Sequence, residues 1–217
     1  MKKFELTNEF ITNMFGTKLF RIRALVEFGD VEAGELGGYV EKESNLGHDD
    51  NAWVYDNAWV YGDAQVSGDA LVYGNALVYG NAWVSGNAWV YGNARVYGNA
   101  WVYGNAWVYG NAWVYGNAQV SGDARVCGDA RVCGDGDYAY AHGFGSVNRT
   151  TTFFRLKDGG VGVRCGCFYG TLAQFRDKIR ETHGETKKAQ EYLMLADLME
   201  LRFEEDENEV GNRKYVE

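Results

Sequence analysis

A six-residue repeat runs without a break from residue 51 to residue 134, and it constrains the fold more than any other feature of this 217-residue chain. The unit is Asn/Asp–Ala–X–Val–Tyr/Ser/Cys–Gly, and it occurs 14 times. Ala and Val are present in every hexad, and Gly closes all of them except the one that ends at Asp56. A helix cannot use this unit, because six residues do not keep one face at 3.6 residues per turn and each internal Gly costs about 1 kcal/mol.

Short strands joined by corners fit the repeat. Side chains alternate along a strand, so the Val of each hexad and the Ala two residues before it point to the same side. The Gly–Asn pair between strands marks a corner, because both residue types tolerate left-handed backbone angles. Three hexads make one triangular coil, so the repeat predicts a solenoid of about 4.7 coils with Val and Ala inside.

The hexads resemble the left-handed parallel β-helix of hexapeptide-repeat proteins, in which an aliphatic residue is followed four positions later by a small one, as Val54 is by Ala58. The resemblance implies an all-β solenoid that is triangular and left-handed. Residues 34–41 and 45–46 resemble the segment that leads into the coils of phage and prophage proteins of this type. Arg149 to Arg155 and the run Cys-Gly-Cys-Phe at 165–168 resemble a small module of phage-type proteins. A phage origin would place the protein in the cytoplasm of a bacterial host.

The composition changes on both sides of the repeat, which predicts three segments. Residues 1–50 are expected to form an amino-terminal cap, because the end of a solenoid exposes its core. Residues 51–134 form the β-helix, and residues 135–217 form a carboxy-terminal α+β module of two strands and two helices. Its strands are predicted over 150–154 and 160–168. A capping box at Thr171 and Gln174 begins the first helix, and the second is predicted over 186–203.

The charge pattern excludes several classes of partner. The net charge is −9, from 30 acidic and 21 basic residues, and no basic patch is present, so we expect no binding to duplex nucleic acid. A mimic of an acidic duplex is disfavoured as well, because the hexads carry only five acids and three bases. No run of 18 apolar residues and no apolar leader occur, so we expect a cytoplasmic protein without a membrane partner.

The two positions that flank each Val point outward, and they carry the information about binding. All seven Trp occupy such positions. Stepping by 18 residues, two faces each carry a ladder of four Tyr, whereas the third is rich in Gln and Ser and is expected to be the most open to water. The candidate binding residues on the first two faces are Trp53, Tyr55, Trp59, Tyr61, Tyr73, Tyr79, Trp89, Tyr91, Tyr97, Trp107, Tyr109, Trp113 and Tyr115.

Three interpretations of these aromatic faces stay open. The rings could only stabilise the solenoid by stacking between coils. They could instead form the interface of a homo-oligomer, since exposed apolar patches commonly mark interfaces, and the family resemblance favours a trimer. They could also bind a host protein, a sugar or a nucleotide by stacking. We therefore predict a non-enzymatic binding or assembly protein without a cofactor, and the phage resemblance suggests an anti-defence role.

The alternative is an acyltransferase that uses acyl-CoA, as many hexapeptide-repeat proteins are. Those enzymes use a histidine as general base and a loop extruded from the coil, and the 14 hexads contain neither. His142 is the only candidate base, with Arg125 and Arg131 as the nearest candidates for binding phosphates. A zinc site built from Cys127, Cys133, Cys165 and Cys167 is also disfavoured. The first pair points from two different faces, and the second pair lacks the common two-residue spacing. We predict no metal.

Overall fold

The computed structural model describes residues 2–145 and 148–204. Three strands precede the hexads: β1 (Phe4–Thr12), β2 (Lys18–Ala24) and β3 (Leu36–Val40). Each hexad then contributes one two-residue strand. These strands are β4 (Trp53–Val54), β5 (Trp59–Val60), β6 (Gln65–Val66), β7 (Leu71–Val72), β8 (Leu77–Val78), β9 (Trp83–Val84), β10 (Trp89–Val90), β11 (Arg95–Val96), β12 (Trp101–Val102), β13 (Trp107–Val108), β14 (Trp113–Val114), β15 (Gln119–Val120), β16 (Arg125–Val126) and β17 (Arg131–Val132).

The carboxy-terminal module follows the last hexad. It contains β18 (Tyr138–Phe144), β19 (Arg149–Arg155), β20 (Val161–Cys165), β21 (Phe168–Thr171), α1 (Leu172–His183) and α2 (Lys187–Phe203). Within the part of the chain that the structure describes, neither helix is long and apolar enough to cross a membrane.

The hexad strands stack into three parallel sheets, one on each side of a triangle. The first face is β4, β7, β10, β13 and β16; the second is β5, β8, β11, β14 and β17; the third is β6, β9, β12 and β15. Strands 18 residues apart pair in register, so that Trp89 lies between Leu71 and Trp107. The amide of Trp89 donates to the carbonyl of Ala106 at 2.9 Å, and this bond recurs up the coil. The structure thus confirms an all-β solenoid with a small carboxy-terminal module.

The interior of the coil consists of the Val and Ala of the hexads, as the alternation predicts. Every one of them is at most 1% exposed. At the corners, every hexad Gly except Gly134 has positive φ and the Asn residues do not, so the left-handed conformation falls on the last position of the hexad. Asp56 is the one hexad residue other than Gly with positive φ. The Asn side chains form amide ladders between coils instead, as in the 3.0 Å bond from Asn81 Nδ2 to Asn99 Oδ1.

The amino-terminal segment joins the coil as well as covering its end. β3 pairs in parallel with β5, and the amide of Tyr39 donates to the carbonyl of Ala58 at 2.9 Å. Leu46 forms a parallel bridge with Val66 on the third face. β1 and β2 extend the second face as an antiparallel pair. Coil-type pairing therefore begins before the first hexad. Phe4, which is fully buried, packs over the end of the core.

The carboxy-terminal end of the coil is covered by β19. Neighbouring residues of a strand point to opposite faces, so Phe154 enters the core of the coil whereas Phe153 enters the core of the module. The hydroxyl of Thr152 accepts from the amide of Arg125 at 2.9 Å, and the amide of Lys157 donates to the carbonyl of Asp129 at 3.1 Å. These bonds hold the module against the last coil.

The sheet of the module has four strands, where the sequence predicts two. The predicted strand over 160–168 is divided into β20 and β21, because Gly166 adopts φ +58° between two cysteines and turns the chain. β18 pairs with β19 and has no strong apolar alternation of its own. Both helices agree with the prediction. Thr171 Oγ1 accepts from the amide of Gln174, which completes the predicted capping box. At the start of α2, Thr186 Oγ1 accepts from the amide of Ala189.

Candidate functional site

The tyrosines of the first two faces form stacked ladders along the coil. On the second face, the ring centroids of Tyr61 and Tyr79 are 5.0 Å apart, and those of Tyr79 and Tyr97 are 4.9 Å apart. On the first face, Tyr91 stacks on Tyr109 at 4.9 Å with an angle of 3° between the ring planes. Trp rings add to the first face, with Trp89 and Trp107 at 4.9 Å. The 18-residue period of the coil therefore brings the predicted aromatic residues together.

Stacking determines which part of each ring can meet a partner. Parallel rings at these distances lie in the offset-stacked arrangement that aromatic pairs prefer. An interior ring such as Tyr79 or Tyr91 has a neighbouring ring against each of its two faces. Such a ring offers its edge and its hydroxyl outward. This geometry disfavours a sugar or base that must stack on an open ring face.

Partial burial within the ladders changes the chemistry of the phenols. Desolvation raises the pKa of Tyr73 to about 12, with a further contribution from Tyr91. Desolvation likewise raises the pKa of Tyr97 to about 12, helped by its neighbours Tyr79 and Tyr115. The ladders therefore stay neutral at physiological pH, and each hydroxyl keeps its proton as a hydrogen-bond donor.

One predicted site residue does not lie on the accessible surface. Trp53 points outward from the coil, but it is fully buried, since Phe4 and Phe28 pack edge-on against its ring at 6.2 Å and 5.3 Å. The amino-terminal segment covers this end of the first face. Tyr55 packs edge-on against Trp53 and stays half-buried. The other predicted residues are also half-buried, and they are Trp59, Tyr61, Tyr73, Tyr79, Trp89, Tyr91, Tyr97, Trp107, Tyr109, Trp113 and Tyr115.

The only charges in the outward positions of the hexads are three arginines, and each lies over a tryptophan. Arg95 and Arg131 lie over the ring of Trp113 at 4.9 Å and 4.2 Å. Arg125 lies over the ring of Trp107 at 4.5 Å. No acid occupies an outward position of residues 51–134. The two ladder faces are thus apolar surfaces with three cations, Arg95 in the middle of the second face and Arg125 and Arg131 at the carboxy-terminal end.

Two groups of exposed apolar side chains lie outside the predicted binding residues. On the third face, Trp83 and Trp101 stack at 5.4 Å and are 44% and 43% exposed, so the face richest in Gln and Ser carries the most exposed rings of the hexads. On α2, Met194, Leu198 and Leu201 form an exposed stripe. The signal for the stripe was present in the sequence, because the three residues recur at helical spacing away from the predicted core positions.

His142 lies on β18 with an exposed side chain. Its Nδ1 is 2.8 Å from Thr150 Oγ1 and 3.9 Å from Asp123 Oδ2. Arg131, one of the two arginines considered for phosphate binding, donates instead to the backbone carbonyls of Asn111 and Ala130. The acyltransferase hypothesis stays a prediction on these contacts.

The cysteines divide between the coil end and the module. Cys127 is buried, and desolvation raises the pKa of its thiol. Cys165 accepts from Thr151 Oγ1 at 3.1 Å, whereas Cys133 and Cys167 are exposed. Across residues 2–145 and 148–204, no three His, Cys, Asp or Glu side chains lie close enough together to hold a metal ion.

Comparison with known families agrees with the stacked sheets. A family model described as "YdcK Beta solenoid repeat" matches residues 64–78, 72–86, 78–92, 88–104, 100–116 and 118–134. The chain is a repeat β-helix protein. All of the matched residues lie within the hexads, so the family model describes the coil and not the cap or the module. A search of the curated proteins found no match.

Proposed function

We propose that this is a binding and assembly protein that associates with further copies of itself through the two Tyr-ladder faces. The observation that carries the proposal is the uninterrupted run of half-buried rings along each face, from Tyr61 to Tyr115 on the second and from Tyr73 to Tyr109 on the first. A water-exposed surface has no need of so much apolar area, and patches of this kind commonly mark interfaces.

A second copy fits these faces better than a small ligand does. The faces of the interior rings are stacked against neighbouring rings. Their edges and hydroxyls are left outward, in rows that repeat about every 4.9 Å. A surface with the same repeat can match such rows along their whole length, and a copy of this coil has that repeat. The resemblance to hexapeptide-repeat proteins supports a trimer, since many of them pack three coils through their faces.

Light scattering coupled to size-exclusion chromatography tests the proposal. We expect the wild-type protein at micromolar concentration to have about three times the 24.3 kDa mass of one chain. A charge in the middle of a ladder cannot be buried without a partner, so Tyr79→Arg or Tyr91→Arg is expected to shift the protein towards the monomer. Circular dichroism and thermal unfolding show whether each variant still folds.

Ser85→Arg is the matched control. Ser85 holds the same position in its hexad as Tyr79 and Tyr91, but it lies on the third face, so the oligomer should persist. A wild-type protein that is a monomer at micromolar concentration contradicts the proposal. Dissociation of the Ser85→Arg variant to the same extent would also contradict it, because the ladders would then have no special role.

A narrower form of the proposal concerns a phage origin. The resemblance of residues 34–41 and 165–168 to phage-type proteins supports a role in the cytoplasm of an infected bacterium. There the assembled faces would block a host factor, such as a defence protein or its nucleotide signal. The genes beside the coding sequence test this form. Neighbouring anti-defence genes support it, and a neighbourhood of chromosomal metabolic genes counts against it.

A further inference from the structure

We propose that a cleft between the coil and the carboxy-terminal module binds the phosphate groups of a small metabolite. The cleft has a volume of about 390 Å³, and its walls include Trp107, Asp123, Arg125, His142, Arg149 and Thr150. The coil contributes the first three and the module the others. A volume of this size is within the range of small-molecule sites. The inference does not depend on self-association.

Arg125 is held in place without using its hydrogen-bond donors. Its guanidinium lies over the ring of Trp107, 4.5 Å from the ring centroid, and the amide of its own backbone donates to Thr152. Stacking restrains the plane of the guanidinium and leaves its N–H groups directed outward from the edge. By contrast, Arg131, one hexad later, donates from Nη1 to two backbone carbonyls. Arg125 has no side-chain hydrogen bond or ion pair within residues 2–145 and 148–204.

Arg149 lies in the cleft beside Gly166, and its side chain occupies space next to the glycine. A Cβ built on Gly166 would overlap Nη1 of Arg149, so the side chain of Arg149 lies against the turn between β20 and β21. Gly166 also adopts φ +58°, which other residues rarely do. The side chain of Arg149 thus packs against the Cys-Gly-Cys turn. Like Arg125, Arg149 forms no side-chain hydrogen bond or ion pair with any residue that the structure describes.

The polar groups between the two arginines complete the site. Thr150 Oγ1 and His142 Nδ1 are 2.8 Å apart, and both line the cleft. Among the described residues that line the cleft, Asp123 alone has a carboxylate. Its Oδ1 accepts from Asn105 Nδ2 at 3.0 Å, and its Oδ2 faces His142 at 3.9 Å. The cleft therefore has two guanidinium charges against one carboxylate that already has partners.

This arrangement favours a phosphate over other ligands. Guanidinium groups match the geometry of phosphate oxygens and bind them through paired, charge-assisted hydrogen bonds. A hydroxyl and an imidazole can supply further donors to the remaining oxygens. Carboxylates share part of this chemistry, so a tricarboxylate serves as the competing probe. The rest of the metabolite would pass the edge of the Trp107 ring, because Trp89 and Arg125 cover the faces of that ring.

Isothermal titration calorimetry of the full chain with inorganic pyrophosphate at about 0.15 M salt, where the Debye length is about 8 Å, tests the site. We expect submillimolar binding by the wild-type protein. Charge-assisted hydrogen bonds predict a loss of about tenfold or more in affinity for Arg125→Ala and for Arg149→Ala. Arg149→Lys keeps the charge but loses the paired donors, so its affinity should lie between those of the wild-type protein and Arg149→Ala. Citrate should bind more weakly than pyrophosphate.

Arg131→Ala and Arg95→Ala are the matched controls, because both arginines lie over a tryptophan but outside the cleft. Their affinities should stay within about twofold of the wild-type value, since surface charges at a distance are screened. The proposal is overturned if the wild-type protein does not bind pyrophosphate at about 10 mM, a concentration that reveals even weak sites. It is also overturned if the control variants lose as much affinity as the cleft variants, or if citrate binds more tightly than pyrophosphate.

Discussion

Tyr73 and Tyr91 are 18 residues apart in the sequence, yet their rings stack with centroids 4.7 Å apart and planes within 2° of each other. One full turn of the coil separates them, so the distance between the rings is close to the spacing between neighbouring strands. The same relationship continues from Tyr91 to Tyr109. A tyrosine that recurs at the same position of every third hexad thus forms a continuous row of rings along the coil. Each ring shields its neighbours from water.

The Tyr ladders are expected to make the free energy of unfolding fall at alkaline pH. Desolvation raises the pKa of Tyr73 and of Tyr97 from 10.0 to about 12. Between these values the unfolded chain loses phenolic protons that the folded protein keeps, so the free energy of unfolding falls as pH rises. Urea unfolding at several pH values measures this fall. Absorbance of phenolate gives the titration of the tyrosines directly, and denatured protein should titrate near pH 10.

Lys3 is expected to raise the free energy of unfolding as pH increases, which is opposite to the effect of the tyrosines. The two effects can be separated because they occur over different pH ranges. Its buried ammonium donates to the carbonyls of Asp50 and Ala52 at 2.8 Å and 2.9 Å, and desolvation lowers its pKa from 10.5 to about 8. The folded protein then loses a proton before the unfolded chain does, so this group increases stability as pH rises from about 8 to 10.5. Above pH 10.5 the contribution of Lys3 is constant, whereas the loss of stability from the tyrosines continues. Native tyrosines that titrate as in denatured protein would show that the ladders are not desolvated.

The corner glycines should differ sharply in their tolerance of a side chain. Gly98 has φ +72°, and a Cβ there would lie 3.1 Å from the amide nitrogen of Gly116 in the next coil. A left-handed conformation costs a residue with a Cβ about 1–2 kcal/mol, so Gly98→Ala should lower the free energy of unfolding by at least that amount. Gly134 closes the last hexad with φ −151° and open space around it. Gly134→Ala should change stability by less than about 0.5 kcal/mol. Equal losses would mean that the corner conformation is not what requires glycine.

The packing of Phe4 over Trp53 should contribute substantially to the free energy of unfolding, although it lies at the end of the coil. Phe4 is fully buried, stacks on His48 at 4.4 Å and packs edge-on against Trp53. Phe4→Ala should lower the free energy of unfolding by about 3–5 kcal/mol, as for other buried aromatic residues. Phe15, 79% exposed, is the control, and Phe15→Ala should cost less than about 0.5 kcal/mol. Thermal unfolding measures both, and similar melting temperatures for the two variants would show that the end of the coil does not need this cap.

Local rules were sufficient for much of the fold. The alternation of Val and Ala fixed the interior, since every such side chain of the hexads is buried. The capping box at Thr171 placed the start of α1 correctly. The strand predicted over 160–168 was too long because the left-handed turn at Gly166 has no local signature beyond the glycine itself. β18 was missed because its pairing with β19 comes from a non-local contact rather than from its own pattern.

The candidate site was only partly predictable. The sequence placed the tyrosines in two ladders, because an 18-residue step is a property of the repeat. It could not show that Trp53 is covered, since Phe4 and Phe28 reach it from a distant part of the chain. It also gave no reason to bring Arg125 and Arg149 to one cleft. Contacts of this kind depend on how the ends of the coil are capped.

The sequence by itself determined the coil, its interior and the order of side chains along each face, because a strict period turns local alternation into global geometry. The tertiary structure decided which of those side chains water can reach. Trp53 and Trp101 hold the same position in their hexads, yet one is fully buried and the other is 43% exposed. The difference comes from the segment that packs over the first of them, and exposure of a repeated residue depends on such neighbours rather than on the repeat.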